Sequence, residues 1–105
     1  MKLVIPSEIQ VGAVKYRIVF SNKILEKMQD RASLNIKEEV IRLRSGCSAA
    51  QLFANLMHEI DHLAEDTAGI SLEEQDSVSR ANLVAQALLS MGIEPDFSQI
   101  PEEEL

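Results

Sequence analysis

The chain has 105 residues, enough for one small domain with a single hydrophobic core. Its formal net charge of -7 argues against a nucleic-acid-binding surface. The single cysteine, Cys47, excludes a disulfide framework and a cysteine-rich zinc site, and we expect its thiol to be structural or incidental. Because no segment reads as a signal peptide or a membrane span, we expect a cytoplasmic protein with no membrane partner.

The first half of the chain reads as strands. Short apolar runs predict strands at residues 3–5, 32–36 and 39–43. Over residues 11–20, apolar side chains alternate with polar ones, and this period predicts a half-buried strand. Residues 21–29 carry a capping signal and near-helical spacing of apolar residues, which fits either a short helix or a loop.

A long helix is predicted next, over residues 48–68. Ser48 and Gln51 form the capping-box pattern S-x-x-Q, which is typical of a helix start. Gly69 follows the last helical residue and is suited to ending the helix in a left-handed conformation. This predicted helix contains the most informative motif of the chain, so its boundaries matter for the functional interpretation.

A second helix is predicted over residues 72–91, where Ser71 and Glu74 form another capping-box pattern. From residue 93 the periodicity stops, and prolines with a glutamate run predict an acidic, flexible tail over 93–105. Strands followed by two long helices indicate an α+β fold, with a small, mostly antiparallel sheet of roughly three or four strands. The expected domain therefore covers residues 1–92.

The segment from His58 to His62 reads H-E-x-x-H inside the first long helix. Residues four apart on a helix lie nearly above one another, so both imidazoles can reach one ion. Such a pair supplies two of the three protein ligands that a catalytic zinc usually keeps. Glu59, which follows the first histidine, is expected to act as a general base rather than as a ligand.

The predicted helix separates apolar from polar side chains. At about 100° per residue, His58 and His62 fall on the same side as Gln51, Asn55 and Glu65. The opposite side carries Phe53, Leu56, Met57, Ile60, Leu63 and Ala64. Histidines that served only as core residues would lie on the apolar side. A second interpretation without a metal is that the histidines belong to a solvated polar face. Motif and face together predict that the histidines bind Zn²⁺.

We expect the third zinc ligand to be a carboxylate, with Cys47 as a weaker alternative, because the chain has 2 histidines and both lie in the motif. Glu65 lies one turn after His62, but three ligands on one straight helix would lie in a line, so it suits an outer-shell role better. The turn after the first long helix returns the next acids toward the histidines. Among these acids we favour Asp76 as the ligand, with Glu73 and Glu74 as alternatives. Glu74 is not preferred, because its side chain is expected to cap the second helix.

The pattern LMHEIDH at 56–62, followed by GISLEEQD at 69–76, resembles small phage and prophage zinc metallopeptidase-like proteins. These are grouped with the ImmA/IrrE-like and SprT-like minimal gluzincins. The resemblance implies a zincin-like domain whose third ligand is a glutamate in an E-x-x-A-N pattern of the second helix. One alignment puts Asp76 at this ligand position, and another puts Val78 there. Asp61 is unusual, because its motif position is more often apolar.

The first functional hypothesis is a zinc-dependent metallopeptidase acting on a protein or peptide. His58, His62 and Asp76 would hold the metal, and Glu59 would take a proton from water and pass it to the leaving amine. The candidate oxyanion donors are Tyr16, Arg42 and Arg80. One alternative is a catalytically silent, metal-binding protein-interaction domain of phage or mobile-element origin. The other is an α+β domain without a metal, and no oligomeric state is predicted.

Overall fold

The computed structural model describes residues 1–70 and 73–103, apart from the side chain of Gln75. Within this part of the chain, strands and helices are mixed, as the sequence predicts. The helices are α1 (Asn22–Met28), α2 (Ala49–Ala68) and α3 (Glu74–Ser90). The strands are β1 (Lys2–Val4), β2 (Glu8–Val11), β3 (Val14–Phe20), β4 (Ala32–Asn35), β5 (Val40–Leu43) and β6 (Glu94–Asp96). Among the described residues, no helix combines the length and apolar character needed to cross a membrane.

The larger sheet has the strand order β2-β3-β5-β4. The β2–β3 and β4–β5 pairs are antiparallel, whereas β3 and β5 run parallel. Parallel neighbours need a crossover rather than a tight turn, and α1 with β4 supplies this connection. Gly12, with a φ of 62°, turns the chain between β2 and β3. This arrangement leaves β4 at an edge of the sheet.

The hydrophobic core lies between this sheet and α2. It includes Ile18, Ile41 and Leu43 from the strands and Leu52, Phe53 and Leu56 from the helix. The helix begins where the sequence predicts, because the Ser48 side chain accepts a hydrogen bond from the Gln51 amide at 3.1 Å. It ends at Gly69, whose φ of 71° is left-handed. Packing on the sheet therefore orients α2, with His58 and His62 turned away from the hydrophobic core.

The segment from residue 93 to residue 103 packs on the domain, whereas the sequence predicts a flexible tail there. β6 pairs with β1 in a separate two-stranded parallel sheet. Phe97 and Ile100 are buried in the core, and Glu103 lies 2.8 Å from the Arg42 guanidinium. Two isolated apolar side chains give no periodic signal, which explains why the sequence pattern missed this anchoring.

Candidate metal centre

The two histidines lie near the middle of α2, and α3 returns along the same helix. Ala81 and Ala85 are buried in α3, and these small side chains allow the two helices to approach closely. As a result, the first turn of α3 lies beside the second half of α2. This placement brings Glu74, the first residue of α3, next to His58 and His62.

Three side chains meet at this point. The Glu74 carboxylate places Oε1 2.9 Å from Nε2 of His58 and Oε2 3.0 Å from Nε2 of His62. The two Nε2 atoms are 3.1 Å apart. Each side chain can offer one ligand atom so that all three atoms lie within 4.8 Å of one another. Within the described residues, this is the group of histidine and acidic side chains suited to holding a metal ion.

The protonation states of the three side chains decide which of the three contacts are favourable. If both Nε2 atoms carry hydrogens, each donates to Glu74, but the two donors then face each other at 3.1 Å. If one Nε2 atom lacks its hydrogen, its lone pair faces Glu74, and that contact is favourable only when the facing carboxyl oxygen carries a proton. A cation placed among the three atoms would attract all of them at once. The contact pattern is therefore compatible with a shared metal ion as well as with a hydrogen-bonded triad.

The donor set also suits zinc in type and spacing. Zinc accepts imidazole nitrogen and carboxylate oxygen, usually in a tetrahedral arrangement. With bonds of about 2.0–2.1 Å, neighbouring ligand atoms of a tetrahedron lie about 3.3 Å apart. The contacts of 2.9, 3.0 and 3.1 Å among His58, His62 and Glu74 are close to that spacing. Three protein ligands would leave a fourth position for water or substrate.

Glu59 lies in the same cleft but is not one of the three grouped side chains. It is only 6% exposed. Burial raises the pKa of its carboxyl, although the nearby His58 and His62 imidazoles act in the opposite direction. A carboxylate whose pKa is raised toward neutrality is a better proton acceptor for general base catalysis than an exposed one. Glu59 is therefore a buried carboxyl in the lining of the cleft that also contains His58 and His62, and its role as a base stays a prediction.

A cleft of about 560 Å³ lies over the histidines. One wall is formed by residues 28–34, which include the end of α1 and most of β4. The other wall contains Asn55 and Glu59 from α2, together with the three grouped side chains. Arg31 is exposed and is the one Lys or Arg residue among those lining this cleft. The cleft therefore joins the candidate metal site to a sheet edge and one cationic side chain.

Glu65 is buried behind His62, although the sequence places it on the polar face. Its Oε2 atom lies 3.6 Å from Nδ1 of His62, and its Oε1 atom lies 3.5 Å from the Arg80 guanidinium. Both separations suit ion pairing but are too long for strong hydrogen bonds. Metal-binding imidazoles usually have a carboxylate or carbonyl near the other ring nitrogen, and Glu65 can take this place for His62. The buried Nδ1 atom of His58 has no hydrogen-bond partner among the described residues.

The structure brings Glu74, rather than Asp76, to the imidazoles. Asp76 is exposed in the first turn of α3 and is not part of the group, and Glu73 is exposed just before that helix. The sequence pattern assigns Glu74 to a cap with Ser71, which lies outside the described residues. The place of Glu74 at the start of the second long helix was the signal that could have identified it. An acidic side chain there can point back toward the preceding helix.

The oxyanion donors named from the sequence lie elsewhere. Tyr16 is buried in β3, Arg42 pairs with Glu103, and Arg80 pairs with Asp61. None of these three lines the cleft over the histidines. Arg31 lines it, but no sequence motif marks this residue. Its placement follows from the edge position of β4, which the strand pattern alone does not reveal.

Comparisons with models of known protein families, with curated proteins and with solved structures found no match to this chain. The resemblance of residues 56–62 and 69–76 to minimal gluzincins therefore stays a prediction. The site itself consists of two imidazoles and two carboxylates that line one cleft.

Proposed function

We propose that this chain is a zinc-dependent peptidase. His58, His62 and Glu74 would hold the metal, and Glu59 would act as the general base. The observation that carries this proposal is the mutual approach of the first three side chains, each of which offers one ligand atom within 4.8 Å of the other two. The buried Glu59 carboxylate beside them supports a catalytic role rather than a purely structural one.

The chemistry divides between the metal and Glu59. When bound, zinc supplies Lewis acidity, which polarises a carbonyl group and acidifies a water molecule. Glu59 accepts a proton from water as the water oxygen bonds to the carbonyl carbon of the peptide. The same carboxyl then gives that proton to the amide nitrogen as the carbon–nitrogen bond breaks. One water is consumed, and after the remaining hydroxyl proton passes to the amine, a carboxylate and a protonated amine are released.

The edge strand β4 supports an extended peptide as substrate. In the described residues, β4 pairs with β5 on one side and has no strand on the other. Ala32, Ser33 and Leu34 of β4 line the cleft above the histidines. A peptide can add to such an edge through main-chain hydrogen bonds, which would carry its backbone past the general base.

Arg31 supplies a candidate for stabilising negative charge. It precedes β4, lines the cleft and is exposed. A guanidinium in this place could interact with the oxygen of the carbonyl group as charge develops during attack. It replaces Tyr16, Arg42 and Arg80 in this role, because those side chains are buried or paired away from the cleft.

Cleavage of a mixture of unstructured peptides, followed by mass spectrometry, would test the proposed activity. We expect time-dependent products from the zinc-loaded protein, loss of activity with a chelator and recovery after zinc is added back. Glu59→Gln should abolish cleavage without releasing zinc, whereas Asp66→Asn, an exposed change on the same helix, should leave it intact. If the protein binds zinc but neither the wild type nor any variant cleaves the peptides, the interaction-domain alternative would be favoured.

A further inference from the structure

Asp61 lies inside the H-E-x-x-H segment but points to α3. Its Oδ2 atom accepts a hydrogen bond from the Ser77 hydroxyl at 2.8 Å. The Arg80 guanidinium lies 2.6 Å from both carboxylate oxygens of Asp61. The Asp61 side chain is 19% exposed, so this connection is partly shielded from water. A carboxylate at a motif position that is usually apolar thus joins the two helices of the site.

The α3 partners of Asp61 are close in sequence to Glu74. Ser77 is fully buried and lies one helical turn after Glu74. Arg80 follows one further turn along the same helix and also approaches Glu65, which lies behind His62. Fixing Ser77 and Arg80 therefore fixes the rotation of α3, and with it the direction in which Glu74 points.

Glu74 needs such support, because little packing holds its own side chain. It is 67% exposed, and its described contacts are those with His58 and His62. Without anchoring, the first turn of α3 would fray readily, as helix ends commonly do. Metal binding would then have to order this turn, and the entropic cost of doing so would weaken the binding.

We propose that Asp61 is a positioning residue that, through Ser77 and Arg80, holds the first turn of α3 so that Glu74 stays beside the imidazoles. This inference rests on the proposed function, because it gives Asp61 a role in metal affinity although its described side-chain hydrogen bonds go to Ser77 and Arg80 and not to a proposed ligand. It also accounts for an acidic residue inside the motif. We call the group of Asp61, Ser77 and Arg80 the interhelical clamp.

The zinc affinity of Asp61→Asn, measured by competition with a chromophoric chelator, tests the clamp. We expect the affinity to fall by about 10- to 100-fold, as for other outer-shell changes. Asp66→Asn removes the same charge from an exposed position of α2 and should change the affinity little. Asp61→Glu, which keeps the carboxylate, should recover part of the loss. Equal affinities of Asp61→Asn and Asp66→Asn would overturn the proposal.

A double-mutant cycle separates positioning from a general structural effect. If Asp61 acts through Glu74, adding Asp61→Asn to Glu74→Gln should weaken zinc binding by no more than about twofold. A loss as large as in the wild-type background would mean that Asp61 acts by another route, and the proposal would fall.

Hydrogen exchange of the metal-free protein distinguishes failure of the clamp from failure of the zinc site. The Ser77 amide donates to the Glu73 carbonyl at 3.1 Å, so it reports on the first turn of α3. We expect exchange over residues 74–80 to be several-fold faster in Asp61→Asn than in Asp66→Asn. Unchanged exchange would overturn the clamp even if zinc binds. Absence of zinc binding with faster exchange would overturn the proposed function alone.

Discussion

The Oε1 atom of Glu74 lies 2.9 Å from Nε2 of His58, although the two residues are 16 positions apart and belong to different helices. The contact depends on the packing of α3 against α2. If Glu74 is the third metal ligand, the three ligands are not confined to the line expected of ligands drawn from α2 alone. The proposed metal centre would then depend on both helices.

The choice of third ligand gives the first prediction. Glu74→Gln keeps the size of the side chain but removes its charge, so we expect zinc affinity to fall by more than the roughly 10- to 100-fold typical of outer-shell changes. Asp76→Asn is the matched control, since it removes a charge from the same exposed turn. Chelator competition measures both variants. A larger loss in Asp76→Asn would restore the ligand assignment favoured by the sequence.

The second prediction concerns Arg31. Arg31→Ala should lower the turnover of a cleaved peptide by about 100-fold, the scale seen when an oxyanion donor is removed, with zinc content unchanged. Lys27→Ala removes the same charge from an exposed residue of α1 outside the cleft and should retain turnover. Steady-state kinetics with both variants makes the comparison. If Arg31→Ala raises KM and leaves kcat unchanged, Arg31 binds substrate rather than stabilising the transition state.

The third prediction concerns the pH dependence of stability. The hydrogen-bonded Arg42 guanidinium holds the pKa of Glu103 below its usual range. A carboxylate with a lowered folded-state pKa contributes stability above its unfolded pKa of about 4.3, and this contribution is lost as pH falls through the folded value. Glu103→Gln should therefore destabilise the protein at pH 7, by on the order of 1 kcal/mol, the usual scale of one hydrogen-bonded interaction.

Chemical unfolding of wild type and Glu103→Gln across pH measures this effect. The two free energies of unfolding should converge as pH falls below the folded-state pKa of Glu103. Glu102→Gln, at an exposed neighbouring position, should follow the wild type. A difference between wild type and Glu103→Gln that stays constant with pH would contradict an ionic role for this carboxylate.

The fourth prediction concerns the end of α2. Gly69 has a φ of 71°, and a β-carbon added there would meet no atom within 4 Å. Any cost of Gly69→Ala therefore comes from the left-handed backbone, which disfavours alanine by about 1–2 kcal/mol. Gly69→Asn should cost less, because asparagine adopts this conformation more readily. Thermal unfolding of the two variants should preserve this order, and equal stabilities would contradict it.

Local signals in the sequence were sufficient for α2. Ser48 with Gln51 marks its start and Gly69 marks its end, because capping and left-handed termination depend on neighbouring residues. The presence of both strands and helices could be predicted for the same reason, because it also depends on local sequence signals. Glu74 differs, since its approach to the histidines depends on how α3 packs on α2, and no local pattern contains that information.

Local sequence signals also failed to predict the structure of the last segment, residues 93–103. Its charge and prolines indicate a flexible tail, but β6 pairs with β1, which is distant in sequence. Burial of Phe97 and Ile100 and the Glu103–Arg42 ion pair add further long-range contacts. Composition describes the average behaviour of such segments, whereas these few contacts decide where this one lies.

Elemental mass spectrometry of the tag-free protein after zinc reconstitution and removal of excess metal tests the central claim most directly. The account predicts about one zinc ion per chain in the wild type, as for a single catalytic site. His58→Ala should lose this zinc, because it removes one of the three grouped donors. A wild type that retains no zinc, or a His58→Ala variant that retains as much as the wild type, would contradict the metal centre.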